Sequence, residues 1–294
     1  MMQTERQRSY FDTGTFTHPA HHTPPLPPRS PLQLTTDTKR SLQVSWANSE
    51  ADLRAAQQLR YQVFALEMGA QLSSPLPGSE GLDVDHYDAF CDHLLVHEVD
   101  HQGQVGMLVG TYRTLTPLAA RHAGGWYSDG EFDLTPLKIL RNRTVELGRS
   151  CVHPDWRSGG VIMTLWAALG QYMLQHKLDT MIGCASMSLQ NQEEAASHVW
   201  QHLSAHYLAD PQWQVQPRIP LNLLATPLLA QPLFSSALQF SEYTPPLIKG
   251  YVRCGSRLLG PPALDPHFNT ADFPIMLRLA DLAPRYQQHF FGAA

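Results

Sequence analysis

The stretch Glu146-Leu147-Gly148-Arg149-Ser150-Cys151-Val152-His153-Pro154-Asp155-Trp156-Arg157-Ser158-Gly159-Gly160 is the most informative segment for chemistry. Glu146 is a carboxylate able to accept a proton as a general base, directly or through a water. Arg149, and Arg113 earlier in the chain, carry guanidinium forks that suit a carboxylate. Cys151 offers a thiol, but no neighbour in sequence marks an activating base, and a buried free cysteine is usually a small hydrophobe. Arg157, Gly159 and Gly160 enter a helix straight after a strand, which aims backbone N–H groups and the positive helix end at an anion. Each feature has a plainer alternative. Glu146 could pair structurally with Arg149 or Arg113, those arginines could tie down an acidic loop, and the glycines could form a strand-to-helix turn beside a surface arginine.

Several elements must position these groups. Ser49 with Asp52 reads as a helix cap, and Leu53, Ala56, Leu59, Val63 and Leu66 recur at helical spacing, so a helix is expected over 50–68. An acidic loop, Gly81-Leu82-Asp83-Val84-Asp85-His86-Tyr87-Asp88, leads to a predicted hairpin over 93–99 and 105–115. A loop over 117–143 precedes a strand over 144–152. A helix follows, with Val161, Leu165, Leu169 and Tyr172 on one face. A buried strand is expected over 181–187, a helix over 191–207, and final strands over 247–254 and 275–282. Residues 209–246, rich in Pro, Leu and Gln, read as an insertion or lid. Residues 1–40, with Pro24-Pro25-Leu26-Pro27-Pro28, read as a disordered or loosely docked tail before a domain at 41–290.

Composition narrows the function classes. A chain of 294 residues with net charge -5 and evenly mixed charges has no basic stripe for phosphates along a duplex, which argues against nucleic acid. Cys91, Cys151, Cys184 and Cys254 are scattered and the N-terminus is polar, so the expected setting is cytoplasmic with reduced thiols. No apolar run reaches the ~20 residues that span a bilayer as a helix.

Arg60 with Phe64, Asp85 with Asp88, Arg113, and Glu146 with Arg149 resemble, in that order, the pattern of acyl-homoserine lactone synthases. A closer resemblance is to the ornithine N-acyltransferases of ornithine-lipid synthesis, within the GNAT superfamily. It is carried by Leu59-Arg60-Tyr61-Gln62-Val63-Phe64, Gly110-Thr111-Tyr112-Arg113, Trp126-Tyr127-Ser128, Glu131-Phe132-Asp133-Leu134, Glu146 to Val152, Gly183-Cys184-Ala185-Ser186, Lys249-Gly250-Tyr251-Val252-Arg253, and Phe268-Asn269-Thr270-Ala271-Asp272-Phe273. In the GNAT phosphate loop Arg157 and Gly160 match, while Ile162 replaces a small residue.

The resemblance implies an α/β (α+β) GNAT acyltransferase fold: a mixed, mostly antiparallel central sheet flanked by helices, with a C-terminal extension over 247–290. It implies transfer of a (3-hydroxy)fatty acyl group from acyl carrier protein, or from acyl-CoA, to the α-amine of L-ornithine. Glu146, Arg149 and Arg113 would then be catalytic. Arg60, Phe64, Asp85, Asp88, Cys151 and Val152 would bind substrate, and Arg157, Gly159 and Gly160 would hold the donor phosphate. Asp85 and Asp88 have two readings, as holders of ornithine's second amine or as anchors of their loop. Backbone N–H groups near Cys151 and Val152 would hold the oxyanion. No metal is expected, although His86, Cys91, His93 and His97, and separately His198, His202 and His206, lie at suggestive spacings. Arg141, Arg143, Arg149 and Arg157 are the expected dock for an acidic carrier. Residues 221–234 would touch the inner membrane face or form a lid. The alternatives are a lactone-forming signal synthase, an N-acyl amino acid synthase with another acceptor, and an inactive acyl-binding relative.

Overall fold

A computed structural model describes residues 34–35, 41–72, 78–157, 159–190, 193–223 and 243–291. In chain order the elements are β1 (Leu34–Thr35), β2 (Ser41–Trp46), α1 (Glu50–Tyr61), β3 (Asp92–Val99), β4 (Val105–Leu115), α2 (Pro117–His122), β5 (Phe132–Asp133), β6 (Thr144–Val152), α3 (Gly160–Gln175), β7 (Thr180–Ser188) and α4 (Glu193–Tyr207). They continue with β8 (Gln216–Pro217), α5 (Pro246–Cys254), β9 (Arg257–Leu258), β10 (Ala263–Asp265), β11 (Thr270–Arg278) and α6 (Pro284–Phe291). The main sheet runs β1-β2-β3-β4-β6-β7-β11-β10, with β9 also on β11. Every pairing in it is antiparallel except β6 with β7. The expected mixed sheet with flanking helices is therefore what the chain forms.

Helices cover both faces of its centre. On one, Val161, Leu165 and Leu169 of α3 pack with Leu94, Val96, Val109 and Tyr112 of β3 and β4, each such burial being worth roughly 1.5–3 kcal/mol. On the other, Leu59 and Val63 meet Cys151 of β6. This is why His93, Leu94, Leu95 and Val96 are all buried and β3 shows no in–out alternation. Ser49 caps α1 by accepting from the Asp52 N–H at 3.2 Å, as the sequence suggests. The helix then widens into a π-helical turn, Gln62–Glu67.

Two irregularities shape the site. The parallel β6–β7 pairing covers only Thr144↔Thr180, Val145↔Met181 and Glu146↔Ile182, although both strands continue to Val152 and Ser188. Beyond Glu146 the strands part, each held on its outer edge by β4 or β11. Gly183 stands at the fork, where a Cβ would overlap the Leu147 carbonyl oxygen. The second is a β-bulge: Thr111 faces Cys151 and Arg113 faces Gly148, so Arg149 and Ser150 are together opposite Tyr112. Arg149 takes the left-handed φ of 50°.

The structure corrects several sequence expectations. Residues 247–254 form not a strand but helix α5: Pro246 suits the first turn, and Gly255 stops it with φ 112°. Leu247, Ile248, Tyr251 and Val252 stand at helical spacing rather than alternating, as one face of a helix requires. The last strand is Thr270–Arg278 rather than 275–282, with Leu279–Asp281 a 3-10 turn. Pro274 inside it is tolerated because it falls between the stretches that β10 and β9 pair with. The loop over 117–143 includes α2, begun by the Thr116 cap and Pro117. Within the expected insertion, β8 pairs with β5, and Ala209 and Val215 join a core cluster, while Ile219 is exposed. Residues 224–242, and most of the segment expected to touch a membrane, lie outside the described residues. So does the tail, apart from Leu34–Thr35, which pair with β2.

Candidate active site

A cavity of about 600 Å³ opens where β6 and β7 part. Every β6 residue from Glu146 to Val152 lines it. β7 contributes Cys184 and Ser186, and α3 contributes Ile162, Met163 and Trp166. Leu247, Gly250 and Tyr251 of α5 close an apolar arm in which Trp166 stacks on Tyr251 at 5.3 Å. The Tyr112 and Tyr251 hydroxyls meet at 2.5 Å in its wall.

Beside the cavity, and reaching its wall through Arg113 and Arg149, is a network of three arginines and three aspartates. Arg60, 1% exposed, donates from Nε to Asp83 at 2.8 Å and from both terminal nitrogens to Asp88 at 2.9 and 2.8 Å. Arg113 Nη1 reaches Asp85 at 2.6 Å and Asp88 at 2.9 Å. Arg149 pairs with Asp83 and Asp85, both at 3.1 Å, and its guanidinium lies over Phe268 and Tyr127 at 4.6 and 5.1 Å. Burial opposes charge on Asp88 and Asp85, yet the guanidiniums hold both carboxyls below their ordinary range. A buried arginine requires such partners. Hence Arg60, Asp85 and Asp88 anchor the acidic loop and are not on the cavity wall, whereas Arg113, Arg149 and Phe64 are. Asp83 was not singled out from sequence. His93 joins the same assembly through a 3.1 Å contact with the Asp88 carbonyl.

Glu146, 4% exposed, is at the apex of the fork, and neither Arg113 nor Arg149 hydrogen-bonds it. It accepts from the Tyr127 N–H at 2.6 Å, the Ser128 N–H at 2.8 Å and the Ser128 hydroxyl at 2.5 Å. Burial raises its pKa above the ordinary value, and the Ser128 and Tyr127 donors only partly offset that. The Ser128 Oγ also lies 3.5 Å from the Cys184 sulfur, on the cavity wall. Burial pushes the Cys151 thiol up to about 12 and the Cys184 thiol well above its usual range, which disfavours either as a thiolate nucleophile.

At the mouth, Gly159 caps α3 and Arg157 lines the opening beside it. Arg157 is paired with Glu67 at 2.5 and 2.8 Å and donates to the Val152 carbonyl at 3.1 Å. The four arginines expected to form a docking patch each have an acidic partner. Arg141 pairs with Asp129, Arg143 with Asp179 at 2.7 Å, and of the four Arg149 is the most buried.

On the opposite wall are Asp265 and Asp272, 4% and 3% exposed, on adjacent strands β10 and β11. Burial pushes Asp272 up to about 6, and nearby Glu131 is raised to about 7, again chiefly by burial. Sequence reasoning quoted the stretches holding Ser128, Glu131 and Asp272 but gave these residues no role; their serine and carboxylate chemistry was the available signal.

Residues 59–167 match the Acetyltransferase (GNAT) domain. The chain is 35% identical over 263 residues to the L-ornithine N(alpha)-acyltransferase of Brucella abortus (strain 2308), covering 86% of this chain and 90% of that one. It is 36% identical over 256 residues to the enzyme of the same name from Rhizobium meliloti (strain 1021), covering 86% and 85%. Among solved structures, the AHL synthase LasI aligns over 87% of this chain and 96% of its own, with 14% identity and a TM-score of 0.47. At this identity and coverage to the curated relatives, the chain belongs to the L-ornithine N(alpha)-acyltransferase family and has a GNAT acyltransferase fold.

Proposed function

We propose that the protein transfers a fatty acyl group from the pantetheine thioester of acyl carrier protein to the α-amine of L-ornithine, giving an N-acyl ornithine lipid. The acceptor is named by the relatives. The observation carrying the reading is the forked sheet with a buried, hydrogen-bonded glutamate at its apex. The donor arm lies along the open edge of β6, and the acyl chain occupies the apolar arm between α3 and α5. Phosphate sits at the Gly159–Gly160 entrance of α3, where the helix end favours an anion, and Arg157 exchanges Glu67 for it.

An amino-acid α-amine is mostly protonated near neutrality and must lose a proton to attack. Glu146 takes it, on the free lone pair of Oε2 or through Ser128, whose hydroxyl already donates to Oε1. Its raised pKa brings it nearer the working pH, where a general base is most effective. Nitrogen bonds to the thioester carbon, the oxyanion is held by backbone N–H groups beside the bulge near Cys151 and Val152, and as the C–S bond breaks the proton lost by the now cationic nitrogen goes to the departing sulfur, giving amide and thiol. Purified protein with acyl carrier thioester, or acyl-CoA, and ornithine tests this by mass spectrometry. N-acyl ornithine with the carrier donor is expected; turnover with coenzyme A alone would overturn the donor assignment, and a lactone product or no transfer would overturn the activity.

No helix among the described residues is long and apolar enough to cross a membrane.

A further inference from the structure

Ornithine carries a second ammonium, which a specific site must either bind or leave in water. Asp85 and Asp88 are already occupied: Asp88 accepts from Arg60 and Arg113 on Oδ1 and from Arg60 and Gln57 on Oδ2, and Asp85 accepts from Arg113. Neither lines the cavity. The three arginines there are matched by three aspartates, so that network leaves no guanidinium over for a carboxylate elsewhere.

Asp272 and Asp265 differ. Both are on the cavity wall, and neither is ion-paired to a basic side chain among the described residues. Asp272 Oδ1 accepts from the Thr270 hydroxyl at 2.7 Å, and the Ser186 hydroxyl also bonds this carboxylate. Asp265 Oδ1 takes the His267 and Phe268 N–H groups at 2.8 and 3.1 Å. Among the described residues its Oδ2 has only the Tyr127 hydroxyl at 3.5 Å, long for such a bond. Arg149 is near enough to be felt by Asp272, but it is committed to Asp83 and Asp85.

The spacing also fits. Along β7, Cys184 touches Ser128 at the Glu146 end, and Ser186 is directly opposite Asp272. Two strand residues span about 7 Å, and the five bonds between the two nitrogens of an extended ornithine span about 6 Å.

We propose that Asp272, with Asp265 beside it, is the specificity-determining counterion for the side-chain ammonium of the acceptor. This rests on the acceptor reading above and adds where its second charge goes. Leaving a buried carboxylate without a cation is unfavourable, so an acceptor lacking that ammonium is rejected. The raised pKa of Asp272 is what a carboxyl awaiting such a partner shows.

The test compares ornithine with norvaline, which has the same carbon chain without the second amine, and with Nδ-acetylornithine, using the full chain. In the wild type, kcat/KM for ornithine should exceed that for either analogue by about 100-fold or more. In Asp272→Asn the ornithine-to-norvaline ratio should fall below about 10-fold, with norvaline turnover held or increased. Norvaline used as well as ornithine by the wild type would overturn the subsite, and this arm needs no variant to fold. Proportional loss of both substrates in Asp272→Asn would overturn it too, since it would mark a purely structural residue. Failure of the wild type to acylate ornithine with any donor would instead remove the acceptor reading, and the subsite with it.

Discussion

Replacing Glu146 by glutamine separates its chemical role from its structural one. The carboxylate accepts from the Ser128 hydroxyl and N–H on one oxygen and from the Tyr127 N–H on the other. Glutamine can keep the two Ser128 bonds on its carbonyl oxygen, but its NH2 group then faces the Tyr127 N–H, donor against donor. One buried N–H without an acceptor costs about 1–3 kcal/mol. Removing a buried charge offsets part of that, because burial already disfavours the ionised form of Glu146. At about 2–4 °C per kcal/mol for a domain of this size, melting should fall by no more than about 10 °C. Turnover, by contrast, should drop about 10²- to 10⁴-fold, the usual contribution of a positioned base. The assay is thiol release from the acyl carrier thioester at ornithine well below its KM, followed across pH. In the wild type, log kcat/KM should steepen below the raised pKa of Glu146 as the base is protonated, and in the variant that added slope should vanish. A folded Glu146→Gln enzyme within about threefold of wild type, or one keeping the acid limb, would refute the assignment.

Three further outcomes follow from the geometry. Arg60→Met leaves Asp83 and Asp88 short of a buried partner and should cost about 3–5 kcal/mol, read as a large fall in the urea midpoint; a shift under about 1 kcal/mol would mean the network is not structural. Cys151→Ala and Cys184→Ala should keep turnover within about tenfold, and intact-protein mass spectrometry of wild type with donor alone should show no acyl adduct; a trapped thioester on either sulfur would contradict direct transfer. Asp272 has its pKa raised to about 6 from 3.8, so the folded chain binds more protons than the unfolded chain between those values. Stability contributed at low pH is therefore lost as pH rises through that window, by at most about 3 kcal/mol. Asp272→Asn should melt above wild type at neutral pH and converge with it near pH 4; a variant less stable at both would contradict this.

The elements that pack were legible from sequence because packing leaves a period. Val161, Leu165, Leu169 and Tyr172 marked α3 and are all buried in it, and the β3–β4 hairpin was marked by its two apolar runs on either side of a polar turn, although the two register shifts near His97 left no sign in the sequence. α5 was legible but misread: Leu247, Ile248, Tyr251 and Val252 recur at helical spacing, and Pro246 and Gly255 bracket them as a helix start and stop, whereas a strand would alternate. Arg60, Asp85 and Asp88 were found as a charged group, but charge alone does not say whether an arginine is turned toward a ligand or an aspartate. Burial decided it. Asp265 and Asp272 could be noted as carboxylates but not assigned to the site, because the β10–β11 hairpin and the pairing of β11 with β7 bring them to the cavity, and a sequence read element by element does not contain that juxtaposition.

The most direct test of acyl transfer at the fork is a crystal structure of the protein with a stable bisubstrate analogue, ornithine joined through its α-nitrogen to an acyl-pantetheine. The expected density runs between the open edge of β6 and the departing β7, with the α-nitrogen within hydrogen-bonding reach of the Ser128 hydroxyl or Glu146 and the acyl chain between α3 and α5. An analogue bound elsewhere, with the fork empty and Glu146 beyond the reach of either a direct contact or one through Ser128 or a single water, would contradict the account.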